Sequence, residues 1–248
     1  MRRLAIVQAR FGSSRLPGKV MLTLDGRSVL AEVLRRCLSI PGIDGVCCAI
    51  AEGFAADMLA HEARSVGAEA FIGPEQDVLA RYLGAARQFK AGEILRVTSD
   101  CPLIDPDVCA AVLDRRRDTD ADYVANNFAP GFPHGLDCEA FTMEALERSA
   151  ALAVAPYDRE HVTPLLRRSG DFRQEALQAA DARFADFRWT LDYPEDYAFF
   201  HAVFRMLGDD RPGWIELAER LAATDLPAIN EGRSAAARAG LEPREKGR

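Results

Sequence analysis

The chain has 248 residues, 48% of them hydrophobic, a size and composition that suit one large α/β domain. Its net charge of −7 argues against a nucleic-acid partner. No apolar run approaches the roughly 18 residues of a membrane span, and the apolar residues 4–9 run into arginine too soon for a signal peptide. None of the six cysteines forms a CxxC pair. They read as small buried hydrophobes in a reduced cytoplasm.

The first strong element is Leu4-Ala5-Ile6-Val7, an apolar, partly β-branched run expected as a strand buried on both faces. Residues 20–24 read as a short extended run, closed by the Asp25-Gly26 turn. Ser28 can cap a helix over Val29–Leu38. Further strands are expected at residues 46–51, 70–72 and 93–98, with helices at 55–66, 77–89 and 106–117 between and after them. Asp105 and Pro106 supply the cap and first position of the last of these helices. This alternation implies a mainly parallel sheet with helices on both faces. Beyond residue 120 the pattern loosens. Residues 122–126, 138–141 and 187–191 are strand-like. Residues 129–136 form a Pro/Gly-rich loop, and helices are expected at 142–149, 159–168, 194–206 and 214–223. The Arg115-Arg116-Arg117 run reads as a solvated helix end. Residues 1–233 make one expected domain, with a small and charged tail at 234–248.

Chemistry concentrates just after the first strand, in Ala9-Arg10-Phe11-Gly12-Ser13-Ser14-Arg15-Leu16-Pro17-Gly18-Lys19. Gly12 permits close approach of a ligand to the backbone. Ser13 and Ser14 add short hydroxyls, and Arg10, Arg15 and Lys19 add three cations suited to phosphate oxygens. A strand running into such a loop outlines a phosphate cradle. It is neither a GxxxxGK[ST] nor a GxGxxG sequence.

Asp100 follows the strand at 93–98. Asp192 follows residues 187–191 and precedes Pro194. Parallel strands bring their carboxyl ends to one edge, so both carboxylates can face the basic loop as Mg²⁺ ligands for a bound triphosphate. Glu195 and Asp196 suit the first turn of the following helix. Arg81 can reach the nucleotide from a helix start.

The opening loop resembles the A-R-x-x-S-x-R-L-P-x-K motif of the sugar-acid cytidylyltransferases, which make CMP-activated 3-deoxy-octulosonate and CMP-sialic acids. With Gln8 in front, it is most similar to the branch named for spore coat polysaccharide biosynthesis protein F. Asp100-Cys101-Pro102 resembles the G-D-x-P motif, with Ser99 in place of glycine. Asp192-Tyr193-Pro194-Glu195-Asp196 resembles V-D-x-P-E-D. The run Arg159-Glu160-His161-Val162-Thr163-Pro164 resembles a segment of the same branch, as do residues 73–81. Residues 135–139 resemble a G-x-D-x-E run.

The resemblance implies a nucleotide-diphospho-sugar transferase fold, a Rossmann-like three-layer sandwich with a mixed, mainly parallel sheet. It implies transfer of CMP from CTP to a sugar acid, with release of pyrophosphate, for surface or coat polysaccharide synthesis. Ala9, Arg10, Gly12, Ser13, Arg15, Lys19, Arg81 and Asp100 are then the nucleotide-binding residues. Lys19, Arg10, Asp100 and Asp192 carry catalysis, with Mg²⁺ on the two aspartates. His134, Glu139, Arg159 and His161 line the acceptor side. The resemblance also implies a homodimer. The alternatives are a GT-A-like glycosyltransferase that consumes a nucleotide sugar and a non-catalytic nucleotide-binding module.

Overall fold

The computed structural model describes residues 1–128 and 131–233. The expected tail at 234–248 therefore lies outside the described residues, as do two residues of the expected loop at 129–136. Among the described residues there are nine strands: β1 (Arg3–Ala9), β2 (Thr23–Leu24), β3 (Arg27–Ser28), β4 (Gly45–Ala51), β5 (Glu69–Gly73), β6 (Glu93–Thr98), β7 (Tyr123–Ala125), β8 (Glu139–Thr142) and β9 (Gln174–Ala176). The helices are α1 (Val29–Leu38), α2 (Ala56–Ser65), α3 (Val78–Gln88), α4 (Pro106–Thr119), α5 (Met143–Leu152), α6 (Pro156–His161), α7 (Pro164–Arg168), α8 (Pro194–Leu207) and α9 (Trp214–Ala222).

Seven strands form one sheet in the order β5-β4-β1-β6-β8-β7-β9. The β5-β4-β1-β6 half is parallel. Strand β8 runs antiparallel to both β6 and β7, and β9 returns parallel to β7. The expected mixed, mainly parallel sheet is therefore present.

Alternation along the central strands sends side chains into two cores. Ala5, Val7 and Cys48 join the core with α1, α2, α4, α8 and α9, whereas Leu4, Ile6 and Cys47 join the core with α3 and α5. That two-sided burial explains the near-continuous apolar sequence of β1 and β4. Caps fix the helix starts that position the site. The Ser28 and Asp77 side chains accept from the backbones of Ala31 and Ala80. Asp105 accepts from Asp107 and Val108, and its other oxygen accepts from Trp214 at the start of α9.

Several expectations are corrected. Residues 19–21 form a 3-10 turn rather than an extended run, entered through Gly18 in the left-handed region at φ 69°. The helix expected over 159–168 is broken into α6 and α7. Pro164 has no N–H to continue α6, and Val162 sits at φ 69° between the two helices. Residues 187–191 are irregular, with a single bridge between His134 and Arg188. Strand β9 was unexpected, because Gln174-Glu175-Ala176 carries little strand propensity. Arg116 is not solvated: it is buried, paired with Glu93, and donates to the Ala121 carbonyl.

Candidate active site

The carboxyl ends of β1, β4, β5 and β6 lie on one edge of the sheet, as their parallel pairing requires. Residues 10–18 leave β1 there and fold on themselves. The Leu16 N–H donates to Ser13 Oγ at 3.3 Å, Gly18 N–H to the Phe11 carbonyl at 3.2 Å, and Lys19 N–H to the Leu16 carbonyl at 3.2 Å. Gly12 faces open space, with nothing within 4 Å of where a Cβ would stand. The loop thus delivers Lys19 into the edge of the sheet.

Lys19 Nζ donates to Asp100 Oδ2 at 2.9 Å, to Asp192 Oδ1 at 2.8 Å and to the Leu191 carbonyl at 2.8 Å. An ammonium has three N–H donors, so all are engaged. Burial alone would lower the pKa of Lys19, but the charges of Asp100 and Asp192 outweigh it and raise it. Burial works against Asp100 as well, and Lys19 together with the Thr98 side chain holds its carboxyl well below the usual range. Asp192 is held down by Lys19 and Arg15 against burial and the neighbouring charge of Asp100. Arg15 Nη2 lies 3.0 Å from Asp192 Oδ1.

The Asp192 segment is fastened from two sides. Leu191 N–H donates to the Asp100 carbonyl at 2.8 Å, which ties the two aspartate loops together. Behind it, Arg188 pairs with Asp196 through Nε–Oδ1 at 2.8 Å and Nη2–Oδ2 at 3.0 Å. Asp196 Oδ2 accepts from the backbones of Asp192 and Tyr193, so it does serve as the cap of α8. Asn230 donates to the Arg188 carbonyl and to Asp196 Oδ1. Arg233 stacks on the Tyr193 ring at 4.0 Å and pairs with Glu195. Asn230 and Arg233 thus buttress the site. Sequence reasoning missed Arg188, Asn230 and Arg233; the only local signal was a charged residue four positions before Asp192.

The remaining expected residues are placed as follows. Arg10 is exposed at the end of β1, and its charge acts on Arg81. Arg81 is 2% exposed and donates to the Pro74 and Glu75 carbonyls, shaping the loop after β5. Arg159 is bound by Asp77 at 2.6 Å and donates to the Ala153 carbonyl, clamping α6 against the start of α3. His134 and His161 are exposed, and His161 packs on Tyr157.

Glu139 is not presented to an acceptor. It is 2% exposed, pairs with Arg96, and accepts from the hydroxyls of Tyr123 and Thr163. Removing one partner of a buried pair strands the other charge. Glu139→Gln is therefore expected to destabilise the fold by about 3–5 kcal/mol while the folded fraction keeps its substrate KM. Chemical denaturation and steady-state kinetics check the two halves of that statement. A raised acceptor KM at unchanged stability would return Glu139 to the site.

Two carboxylate oxygens meeting one cation form a donor pair suited to a hard divalent ion. Among the described residues no cluster of three or more His, Cys, Asp or Glu could hold a metal, so further ligands would come from substrate and water. The pair fits a divalent ion that takes its remaining ligands from outside the protein. Among the same residues, no helix is long and apolar enough to cross a membrane.

The chain is similar to known proteins along most of its length. The family model for cytidylyltransferases matches residues 4–232. The spore coat polysaccharide biosynthesis protein SpsF of Bacillus subtilis is 29% identical, over 83% of this chain and 88% of its own. A 3-deoxy-manno-octulosonate cytidylyltransferase of Anaeromyxobacter dehalogenans is 34% identical over 46% of this chain and 47% of its own. The solved structure of a cytidylyltransferase from Leptospira borgpetersenii superposes with a TM-score of 0.86 at 28% identity, covering 92% of this chain and 96% of that one. A basic loop after β1 that meets two aspartates, on a fold shared with such enzymes along almost its whole length, places the chain in the cytidylyltransferase family of nucleotidyltransferases.

Proposed function

We propose that the protein transfers CMP from CTP to a sugar acid and releases pyrophosphate, in the synthesis of a surface or coat polysaccharide. The observation that carries this reading is the convergence of Lys19, Arg15, Asp100 and Asp192 at one sheet edge. Nucleotidyl transfer is mostly positioning and charge neutralisation, and this set supplies both signs of charge.

Arg10, Arg15 and Lys19 bind the triphosphate, with the backbone around Ala9, Gly12 and Ser13 forming the floor of the cradle. Asp100 and Asp192 would hold Mg²⁺, which would supply Lewis-acid neutralisation of phosphate charge when bound. Arg188, Asp196 and Asn230 keep Asp192 in place. His134 and His161 are the exposed polar groups left for the acceptor, and Arg159 holds the helix that carries His161. Arg81 acts on the nucleotide only through the loop it shapes.

The test is a thermal-shift screen of CTP, ATP, GTP and UTP with Mg²⁺, because ligand binding stabilises in proportion to affinity. CTP is expected to give the largest shift, and pyrophosphate release from CTP to appear with a sugar acid added. Equal shifts for all four nucleotides would remove cytidine preference. Turnover from a preformed nucleotide sugar, without pyrophosphate release, would restore the glycosyltransferase reading.

A further inference from the structure

Strand β4 ends at Ala51, and Glu52-Gly53-Phe54 continues from the same edge of the sheet. Phe54 is 91% exposed, more than any other large apolar side chain among the described residues. Leaving a phenyl ring in water forfeits the burial that stabilises most phenylalanines. The ring is nevertheless placed. It meets Phe11 edge to face, with centroids 5.3 Å apart and planes at 78°. Phe11 belongs to the loop that delivers Lys19, and its ring lies 3.1 Å from where a Cβ on Gly18 would stand. Glu52 N–H donates to the Gly73 carbonyl at 2.8 Å, tying the Phe54 loop to the end of β5. The space beside both Gly12 and Gly53 is open, with nothing within 4 Å of a built Cβ.

The sheet order gives this aromatic pair a direction. Strand β1 lies between β6 and β4. Asp100, which Lys19 contacts, follows β6, and Phe54 follows β4 on the other side. A nucleotide whose phosphates met the Lys19 side could reach Phe54 by laying its nucleoside end across β1. We propose that Phe54, backed by Phe11, is the platform on which the nucleobase of the bound nucleoside triphosphate stacks. A phenyl face attracts the face of a base without reading its hydrogen-bonding edge. Phe54 therefore supplies affinity for the nucleoside end and leaves base choice to other groups.

The inference rests on the CTP-dependent reading above, and calorimetry separates the two. The probes are CTP, CMP and inorganic tripolyphosphate, titrated into the parent protein and into Phe54→Ala and Phe54→Trp. Substitution of so exposed a side chain leaves the fold intact, and circular dichroism checks this. Phe54→Ala is expected to weaken CTP and CMP alike by about tenfold and to leave tripolyphosphate unchanged, while Phe54→Trp retains nucleotide affinity. A parent protein that binds no CTP defeats the functional reading itself. A parent that binds CTP and a Phe54→Ala variant that binds it equally well overturn the platform alone. So does a Phe54→Ala variant that changes only the KM for the acceptor.

Discussion

Asp100→Asn and Asp192→Asn are each expected to remove turnover by about 10²–10³-fold, with the double variant little worse than either single one. The two carboxylates reach a single Lys19 Nζ, at 2.9 and 2.8 Å, and the backbone bond from Leu191 to Asp100 makes their loops one structural unit. Two carboxylates that share one cation lose the function of the pair when either charge is removed. Asparagine keeps the shape of each side chain, so the folded state should survive. Independent roles would give losses that multiply. Near-normal turnover of Asp192→Asn at saturating Mg²⁺ would take Asp192 out of the site.

The parts of this architecture that are legible in sequence are those set by neighbours along the chain. Strand β6 spans the expected residues 93–98, because a short segment carrying Ile94, Leu95 and Val97 between Gly92 and Ser99 needs no distant partner to identify it. The caps at Ser28, Asp77 and Asp105 are equally local. Convergence of Asp100 and Asp192 is expected from two aligned strand ends, but residues 187–191 form no strand, and it is the Leu191 N–H to Asp100 carbonyl bond that brings Asp192 beside Asp100. What surrounds them could not be inferred. Arg188 meets Asn230 across 42 residues, and that contact exists only once α8 and the segment around Asn230 have packed. From sequence, Arg81 is expected to reach toward the nucleotide from a helix start, and Arg159 to lie on the acceptor side from the resemblance of residues 159–164. Burial instead gave Arg81 the carbonyls of Pro74 and Glu75, and gave Arg159 the carboxylate of Asp77. The break between α6 and α7 was signalled by Pro164, whereas β9 is a short edge strand held by its partner rather than by its own residues.

The position of Lys19 has a consequence for how metal and nucleotide bind. Its three donors are all engaged by Asp100, Asp192 and the Leu191 carbonyl, so none is left for a phosphate in this arrangement. To grip a triphosphate, Lys19 must release at least one of these partners. To accept a divalent ion, the aspartates must likewise give up the ammonium that neutralises them. Each event would make the other easier, because a phosphate would take up the lysine and leave Asp100 and Asp192 to hold the ion. That is a coupling free energy between two ligands, carried by one side chain. Lys19→Met is therefore expected to act in opposite directions. Without nucleotide, the variant should bind Mn²⁺ about tenfold more tightly than the parent, since no cation competes for carboxylates that otherwise repel each other. Its melting temperature should be lower without the ion and should recover more on adding it. CTP affinity should fall by the worth of a charge-assisted contact, about 1.5–3 kcal/mol, while CMP affinity changes little. The enhancement of Mn²⁺ binding by CTP should shrink accordingly. Electron paramagnetic resonance of free Mn²⁺ and nucleotide calorimetry measure these quantities separately. Unchanged Mn²⁺ affinity in the nucleotide-free variant would show that Lys19 does not compete for the aspartates, and equal losses for CTP and CMP would show that it does not meet the outer phosphates.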